Sequence, residues 1–176
     1  MYYFTKAASP LGDLTLVSDG QRLTGLYLPN QKYFLAGIAT DKLQQTDSLP
    51  IFQISRDWLT NYFTGQSRDT KLPPLSLKGS DFRHLVWQEL LTIPFGELRT
   101  YGEIANEVAD KMGRTSMSSQ AVGAAISHNP ISILVPCHRV ISTSNNLTGY
   151  AGGIPAKIKL LEIEGHTLSD FKLPKN

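Results

Sequence analysis

The stretch Ile133-Leu134-Val135-Pro136-Cys137-His138-Arg139-Val140 decides how the rest of the chain is read. It holds the single cysteine among 176 residues. Residues Ile131 to Val135 have the length and β-branched composition of a buried strand, and the sequence predicts one there. Pro136 lacks an N–H and fixes φ, so the ladder should end and the chain turn out of the sheet. Cys137 then stands on stiff backbone, with an imidazole beside it and a guanidinium one residue further. A thiol reacts as its thiolate, and such neighbours are expected to raise the thiolate fraction. A lone cysteine taken by itself reads first as a small buried hydrophobe. A packing cysteine has no need of His138 and Arg139, though, which must find polar partners if buried. Adjacent residues on extended backbone point to opposite sides, so a bridging water between sulfur and ring is expected rather than direct contact.

Composition narrows the class. Hydrophobic residues are 41% and charged residues 18%, as in a globular protein with a core, which argues against disorder. One cysteine excludes an internal disulfide framework and a cysteine-rich zinc site, and fits a reducing compartment. The start, Met1-Tyr2-Tyr3-Phe4-Thr5-Lys6, does not read as a signal peptide, and no apolar run approaches membrane-spanning length. A net charge of +2 permits a local patch for a polyanion without demanding one.

Upstream, Tyr2 to Ala8, Leu14 to Leu16 and Leu23 to Leu28 alternate like strands, separated by turns at Ser9-Pro10-Leu11-Gly12 and Asp19-Gly20. Residues 29 to 48 read as a loop. Ile51, Ile54, Trp58, Leu59, Tyr62 and Phe63 recur at helical spacing, with Gly65 as a stop. Lys71 to Leu77 is a candidate strand, and Ser76 to Ser80 is the linker candidate. Beyond it the texture turns helical. Ser80 can cap a helix carrying Phe82, Leu85, Val86, Trp87 and Leu90, which Ile93-Pro94-Phe95-Gly96 breaks. Thr100 and Glu103 form a capping box opening a short helix. Ser118 or Ser119 caps the next, Gln120 to His128, rich in alanine and glycine. Two short helices joined by a turn suggest a helix-turn-helix. The small residues Ala121, Gly123 and Ala124 allow close approach either of a neighbouring helix or of a nucleic-acid groove. Downstream, Ser142 to Thr148 is a loop. Pro155 opens a last helix with Ile158, Leu160 and Leu161 buried, Gly165 stops it, and a loosely held tail follows.

Pro136-Cys137-His138-Arg139-Val140 resembles the active-site signature of the O6-alkylguanine-DNA alkyltransferases, or methylated-DNA–protein-cysteine methyltransferases. Asn129-Pro130 and Gly149-Tyr150-Ala151-Gly152-Gly153 fall where that family carries similar residues. Phe82 to Ala105, Ala121 to Ala125 and Leu160 to Gly165 are similar to its other C-terminal segments, and Ser9-Pro10-Leu11-Gly12 to its N-terminal half. The resemblance implies an α+β fold: a ribonuclease-H-like α/β domain over 1–78, a winged helix-turn-helix alkyltransferase domain over 79–165, and a tail over 166–176.

It also implies chemistry. Cys137 would take an alkyl group from guanine O6 once, irreversibly, leaving a thioether. His138 would act as base through a water, oriented by Glu164. Asn129 would tie the active-site turn through its amide. Tyr101 would hydrogen-bond guanine N3. Tyr150, with backbone from Cys137, Val140 and Ala151, would line a base pocket that Gly152 and its neighbours let close. Ser119, Gln120, Ala121 and Gly123 would meet DNA, and Gln120 stands where many members carry a finger arginine. Arg114, Lys111 and Arg99 are candidate phosphate contacts, while Arg139 is expected to hold the turn. A base in a duplex is unreachable, so it would be flipped out. The partner would be double-stranded DNA bearing O6-alkylguanine, with O4-alkylthymine as a second possible lesion, and a monomer is expected. The zinc-bearing members use N-terminal cysteines that are lacking here, so no metal is expected, and no cofactor. The location would be cytoplasmic, nucleoid-associated in a prokaryote. Two other readings stay open: a non-transferring damaged-DNA-binding or helix-turn-helix regulatory protein, and a Cys-His hydrolase.

Overall fold

The structure, a computed structural model, describes residues 1–66 and 71–174. The chain forms two compact units. The first is Met1–Lys78 together with Pro130–Leu134; the second is Gly79–Asn129 with Val135–Asn176. Sheet and helices are both present, in keeping with the expected α+β class.

In the first unit, β1 (Tyr2–Ala7), β2 (Leu14–Ser18) and β3 (Leu23–Tyr27) form an antiparallel meander. The turn between β1 and β2 is closed by Gly12 N–H donating to Ser9 O at 3.0 Å. A short β4 (Leu43–Gln45) pairs parallel with β1, giving the order β3-β2-β1-β4. Residues 29 to 48 are therefore not wholly a loop. Three residues of marginal burial leave little hydrophobic signal, and β4 forms because β1 offers an open edge. The helix α1 (Pro50–Phe63) begins with proline in its first turn and buries Ile51, Phe52, Trp58, Leu59 and Tyr62.

Two predicted strands are corrected. Lys71 to Leu77 contributes only a bridge at Leu75 to Leu23. Its two prolines, Pro73 and Pro74, cannot donate to a ladder. Ile131 to Val135 is likewise reduced to one bridge, Ile131 to Leu26. Leu26 N–H donates to Pro130 O and Ser132 N–H to Leu26 O, and Ser132 Oγ reaches Gln31 Oε1 at 3.0 Å. Ile133 then adopts φ +71°, which no strand tolerates. A β-branched residue there costs of order 1–3 kcal/mol, so its fully buried surroundings must hold it.

In the second unit, α2 (Asp81–Leu91), α3 (Tyr101–Lys111) and α4 (Ser119–Ser127) pack on one another. Ser80 caps α2, Ser118 caps α4, and both bonds of the Thr100/Glu103 capping box form. Trp87 is fully buried and donates its indole N–H to Ala125 O at 2.9 Å, fixing α2 against α4. Two short strands, β5 (Arg99–Thr100) and β6 (Val140–Ile141), pair in parallel. This ladder sets the start of α3 beside the chain leaving Cys137. The last helix, α5 (Ile154–Ile163), carries Pro155 in its first turn and ends at Glu164, with Gly165 at φ +96°. The tail is held more firmly than expected. Leu147 N–H donates to Lys172 O and Lys172 N–H to Asn145 O, both at 2.9 Å, and Phe171 packs on Ile141, Leu147 and Leu161. Residues 175 and 176 lie outside the described residues.

Candidate active site

After Val135 the chain makes a short 3-10 turn over Cys137–Arg139. Cys137 N–H donates to Val135 O at 2.8 Å and Arg139 N–H to Pro136 O at 3.0 Å. Cys137 and His138 therefore stand on a turn, not on extended backbone. Both are buried, Cys137 at 4% exposure and His138 at 0%.

Glu164 collects this turn. Its Oε2 is hydrogen-bonded to His138 Nε2. Its Oε1 accepts from Arg139 Nε at 2.7 Å and from Gly96 N–H at 2.9 Å. Arg139 also donates from Nη1 to Ile93 O at 2.6 Å, so it holds the turn, as expected. Burial alone would raise the Glu164 carboxyl. Hydrogen bonds from His138 and Arg139, with the Arg139 guanidinium charge, prevail and bring it down to about 2. An ionised carboxylate is acceptor-only, so His138 Nε2 must carry the proton, and Nδ1 is left as the basic nitrogen. Burial lowers the pKa of His138 below the ordinary imidazole value despite the opposing pull of Glu164, so the ring rests neutral.

The thiol departs from expectation. Burial pushes Cys137 above the ordinary thiol value. Hydrogen bonds from the Asn129 and Tyr150 side chains and the positive charge of Lys157 work the other way without overcoming it. The sequence shows the cationic neighbours but not the desolvation, and desolvation is the larger effect here. The resting pair is thus a thiol and a neutral imidazole.

The other candidates fall into three groups. Asn129, Tyr101 and Tyr150 gather near the sulfur. Asn129 Nδ2 donates to Val135 O at 2.8 Å, bridging the end of α4 to the turn. Tyr101, the first residue of α3, donates its phenol to Thr148 O at 3.2 Å. Burial raises its pKa, and a negative Cys137 raises it further, so the phenol keeps its proton. Val140 leaves the turn in β6, fully buried, and Ala151 and Gly152 follow Tyr150 in a half-buried stretch.

A second group lies on α4 and before it. Ser119 and Gln120 are exposed in its first turn, Ala121 and Gly123 are half-buried, and Arg114 is exposed ahead of it. A Cβ at Gly123 would stand 3.9 Å from the Tyr101 ring, an ordinary contact, so Tyr101 does not by itself require glycine there. Val122, Ala125 and Ile126 turn to the core, leaving Gln120 and Ala124 outward. In the third group, Lys111 is ion-paired with the buried Glu89 and Arg99 reaches Glu97 at 3.5 Å, and both side chains stay partly exposed.

Sequence reading missed Lys157. It is fully buried on α5, and its ammonium donates to Val140 O at 2.6 Å, Thr148 O at 3.4 Å and Gly149 O at 3.5 Å. Lys157, Leu160, Leu161 and Glu164 are spaced i, i+3, i+4, i+7, one face of a helix, and that spacing was the available signal.

The comparisons agree across the chain. A family model for the 6-O-methylguanine DNA methyltransferase ribonuclease-like domain matches residues 1–77, and one for the DNA-binding domain of the same family matches residues 81–166. The chain is 42% identical over 164 residues to the methylated-DNA–protein-cysteine methyltransferase of Mycobacterium tuberculosis, covering 93% of each. It is 38% identical over 165 residues to the constitutive methyltransferase of that name from Bacillus subtilis, covering 93% of this chain and 96% of the relative. A crystal structure of the M. tuberculosis protein in complex with DNA aligns at a TM-score of 0.79 and 40% identity, over 96% of this chain and 94% of that one. With both halves matched in order and curated relatives aligned nearly end to end, this chain belongs to the 6-O-methylguanine DNA methyltransferase family.

Proposed function

We propose that this protein repairs alkylated DNA by moving one alkyl group from guanine O6 to the Cys137 sulfur, once per molecule. The observation that carries the reading is the linkage of the single cysteine's neighbour, His138, to an ionised Glu164 that fixes its tautomer. A buried histidine and carboxylate beside an inert packing thiol would be costly and without use.

The Cys137 S–H proton passes through a bridging water to His138 Nδ1. The resulting imidazolium is stabilised by Glu164. The sulfur electron pair forms a bond to the alkyl carbon as the carbon–O6 bond breaks. Those electrons pass into the guanine ring, and Tyr101 stabilises them by donating its phenol hydrogen bond at N3. Tyr150 and the backbone of Val140, Ala151 and Gly152 enclose the base. The base arrives flipped from the duplex, at a cost of a few kcal/mol for unstacking. Ser119, Gln120, Ala121, Gly123 and Arg114 face the DNA, with Gln120 filling the vacated stack. The protein is the acceptor, so the stoichiometry calls for no cofactor, and one chain supplies every group named. O4-alkylthymine is a second substrate of the same pocket.

The test is incubation with duplex oligonucleotide bearing O6-methylguanine, then mass analysis of the Cys137 peptide. One added methyl with no second turnover is the expected outcome. Binding without modification would identify a damage sensor, and repeated turnover would identify a hydrolase.

A further inference from the structure

The segment after α5 closes on itself before it meets the rest of the unit. A 3-10 turn over Leu168–Asp170 is capped from Thr167, whose backbone N–H and hydroxyl both donate to Asp170 Oδ2, at 3.0 and 2.9 Å. Phe171 N–H then donates to Leu168 O at 3.1 Å. Thr167 to Asp170 are exposed, so the turn buries little itself; its effect is to aim Phe171. That ring lies on Ile141, Leu147 and Leu161, edge-on to the His166 imidazole. The next residue pairs in parallel with Asn146: Lys172 N–H donates to Asn145 O, and Leu147 N–H to Lys172 O. Both bonds are made by backbone. Leu147, fully buried, leads at once into Thr148–Gly153, the loop that carries Tyr150. Three of those six residues are glycine, which makes the loop costly in entropy to hold still. Its first carbonyl, Thr148 O, is the acceptor of the Tyr101 phenol. Before it, Ser144 and Asn145 turn the chain back from β6 at φ +65° and +58°, a strained reversal that gains from an outside hold.

We propose that Thr167–Lys172 is a positioning element for the transfer: Phe171 and the Lys172 backbone hold Asn145–Leu147, and through them set the entry of the Tyr150 loop at the spacing the base pocket requires. Without that hold the loop would occupy its competent arrangement for a fraction of the time, and the rate would fall by that fraction. Cys137 and His138 stand on other supports, the Asn129 bond to Val135 O and the Glu164 carboxylate. The tail therefore acts on capture of the base and leaves the thiol as it is. This inference rests on the reading that the Tyr150 loop encloses a flipped base, and the test keeps the two apart.

Phe171→Ala removes the ring and keeps the backbone, whereas a chain stopped after His166 removes the pairing as well. Each would be compared with wild type in three measurements: methyl transfer from an O6-methylguanine duplex, backbone amide exchange, and alkylation of Cys137 by iodoacetamide across a pH series without DNA. Transfer at saturating duplex should slow several-fold in Phe171→Ala and roughly tenfold or more in the stopped chain, the scale of two net hydrogen bonds. Phe171→Leu should recover part of the rate. The bonded amides of Ser142, Leu147 and Gly153 should exchange faster while those of α2, α3 and α4 keep their wild-type rates. The iodoacetamide profile and the affinity for undamaged duplex should not move. Unchanged exchange at these three amides overturns the proposal, as does a loss of protection spread through the whole unit. A shifted thiol profile overturns it too, because the effect would then lie at the sulfur. If neither variant folds, the wild-type protein decides. Leu147 and Lys172 donate within one pairing, so their amides should open together with matched protection, and independent opening overturns the hold. Amides loosened as expected, with no methyl ever reaching Cys137 in wild type, would instead overturn the alkyl-transfer reading and leave the tail's grip on the loop standing.

Discussion

The two units bury polar groups of different kinds. In the first, the buried polar residues among those described are Thr5, Thr15, Ser18, Thr24, Gln31, Ser55 and Ser132, all uncharged. In the second they include Glu89, His138, Arg139, Lys157 and Glu164. Hydroxyls and amides cost little to bury when hydrogen-bonded, whereas charges cost several kcal/mol each unless matched. The first unit is assembled for stability, with apolar burial at roughly 25 cal/mol per Å² as its main source. The second gives up some stability to hold ionised groups where a reaction needs them. The proposed chemistry sits where burial is most costly.

Substitutions can break or sharpen this contrast. The largest effect is expected from Cys137→Ser. Transfer should fall below detection, while affinity for O6-methylguanine duplex, read by gel shift, stays near wild type. Loss of binding as well would mean that the thiol holds the turn. Next is Glu164→Gln, which leaves Arg139 and His138 without their carboxylate. Transfer should drop by up to roughly ten-thousandfold, the scale for a lost orienting acid. The sign of the pH effect is fixed. The folded carboxyl, at about 2, lies below its ordinary 4.5, so its contribution is complete above pH 4.5 and is lost as pH falls toward 2. That contribution is about 3 kcal/mol. Denaturant melts at pH 7 should show it missing in the variant, and acid should destabilise the variant less steeply than wild type.

A smaller effect is expected from Gln120→Ala. The side chain is exposed and touches no buried charge, so stability should hold within about 0.5 kcal/mol. Transfer from duplex should slow several-fold, while transfer from single-stranded substrate stays unchanged. Equal rates on both would remove Gln120 from base extrusion. Smallest is Thr24→Val in the first unit. The buried Thr24 hydroxyl has no hydrogen-bond partner among the described residues. Removing it should be neutral or stabilising by up to about 1 kcal/mol, with transfer untouched. A loss of transfer there would mean that the first unit is not merely a scaffold.

Legibility follows the same division. Alternation gave β1 to β3, helical spacing gave α1, and serine and threonine caps marked α2, α3 and α4, because local chemistry decides those elements. Cys137, His138, Glu164 and Asn129 were legible through the motif and its neighbours. What stayed hidden is what tertiary context decides. Ile131 to Val135 has strand composition, yet Ile133 is forced left-handed by its packing. β4 exists because β1 has a free edge. The raised thiol depends on desolvation, which no neighbour in the sequence announces. Lys157 was passed over because a lysine on a helix is ordinarily solvated.

Glu164 joins residues far apart along the polymer: Gly96, 68 positions earlier, and His138, 26 positions earlier. A chain emerging from the ribosome presents Cys137 well before the acid that completes its relay. Until α5 docks, the imidazole lacks its fixed tautomer and Arg139 its counter-ion, so the sulfur is an ordinary cysteine. On the proposed mechanism, competence therefore waits until the chain has been made through Glu164, at the end of α5. Stalled nascent chains ending before Glu164 should take no methyl from damaged duplex, and chains extended past the tail's contacts should take one.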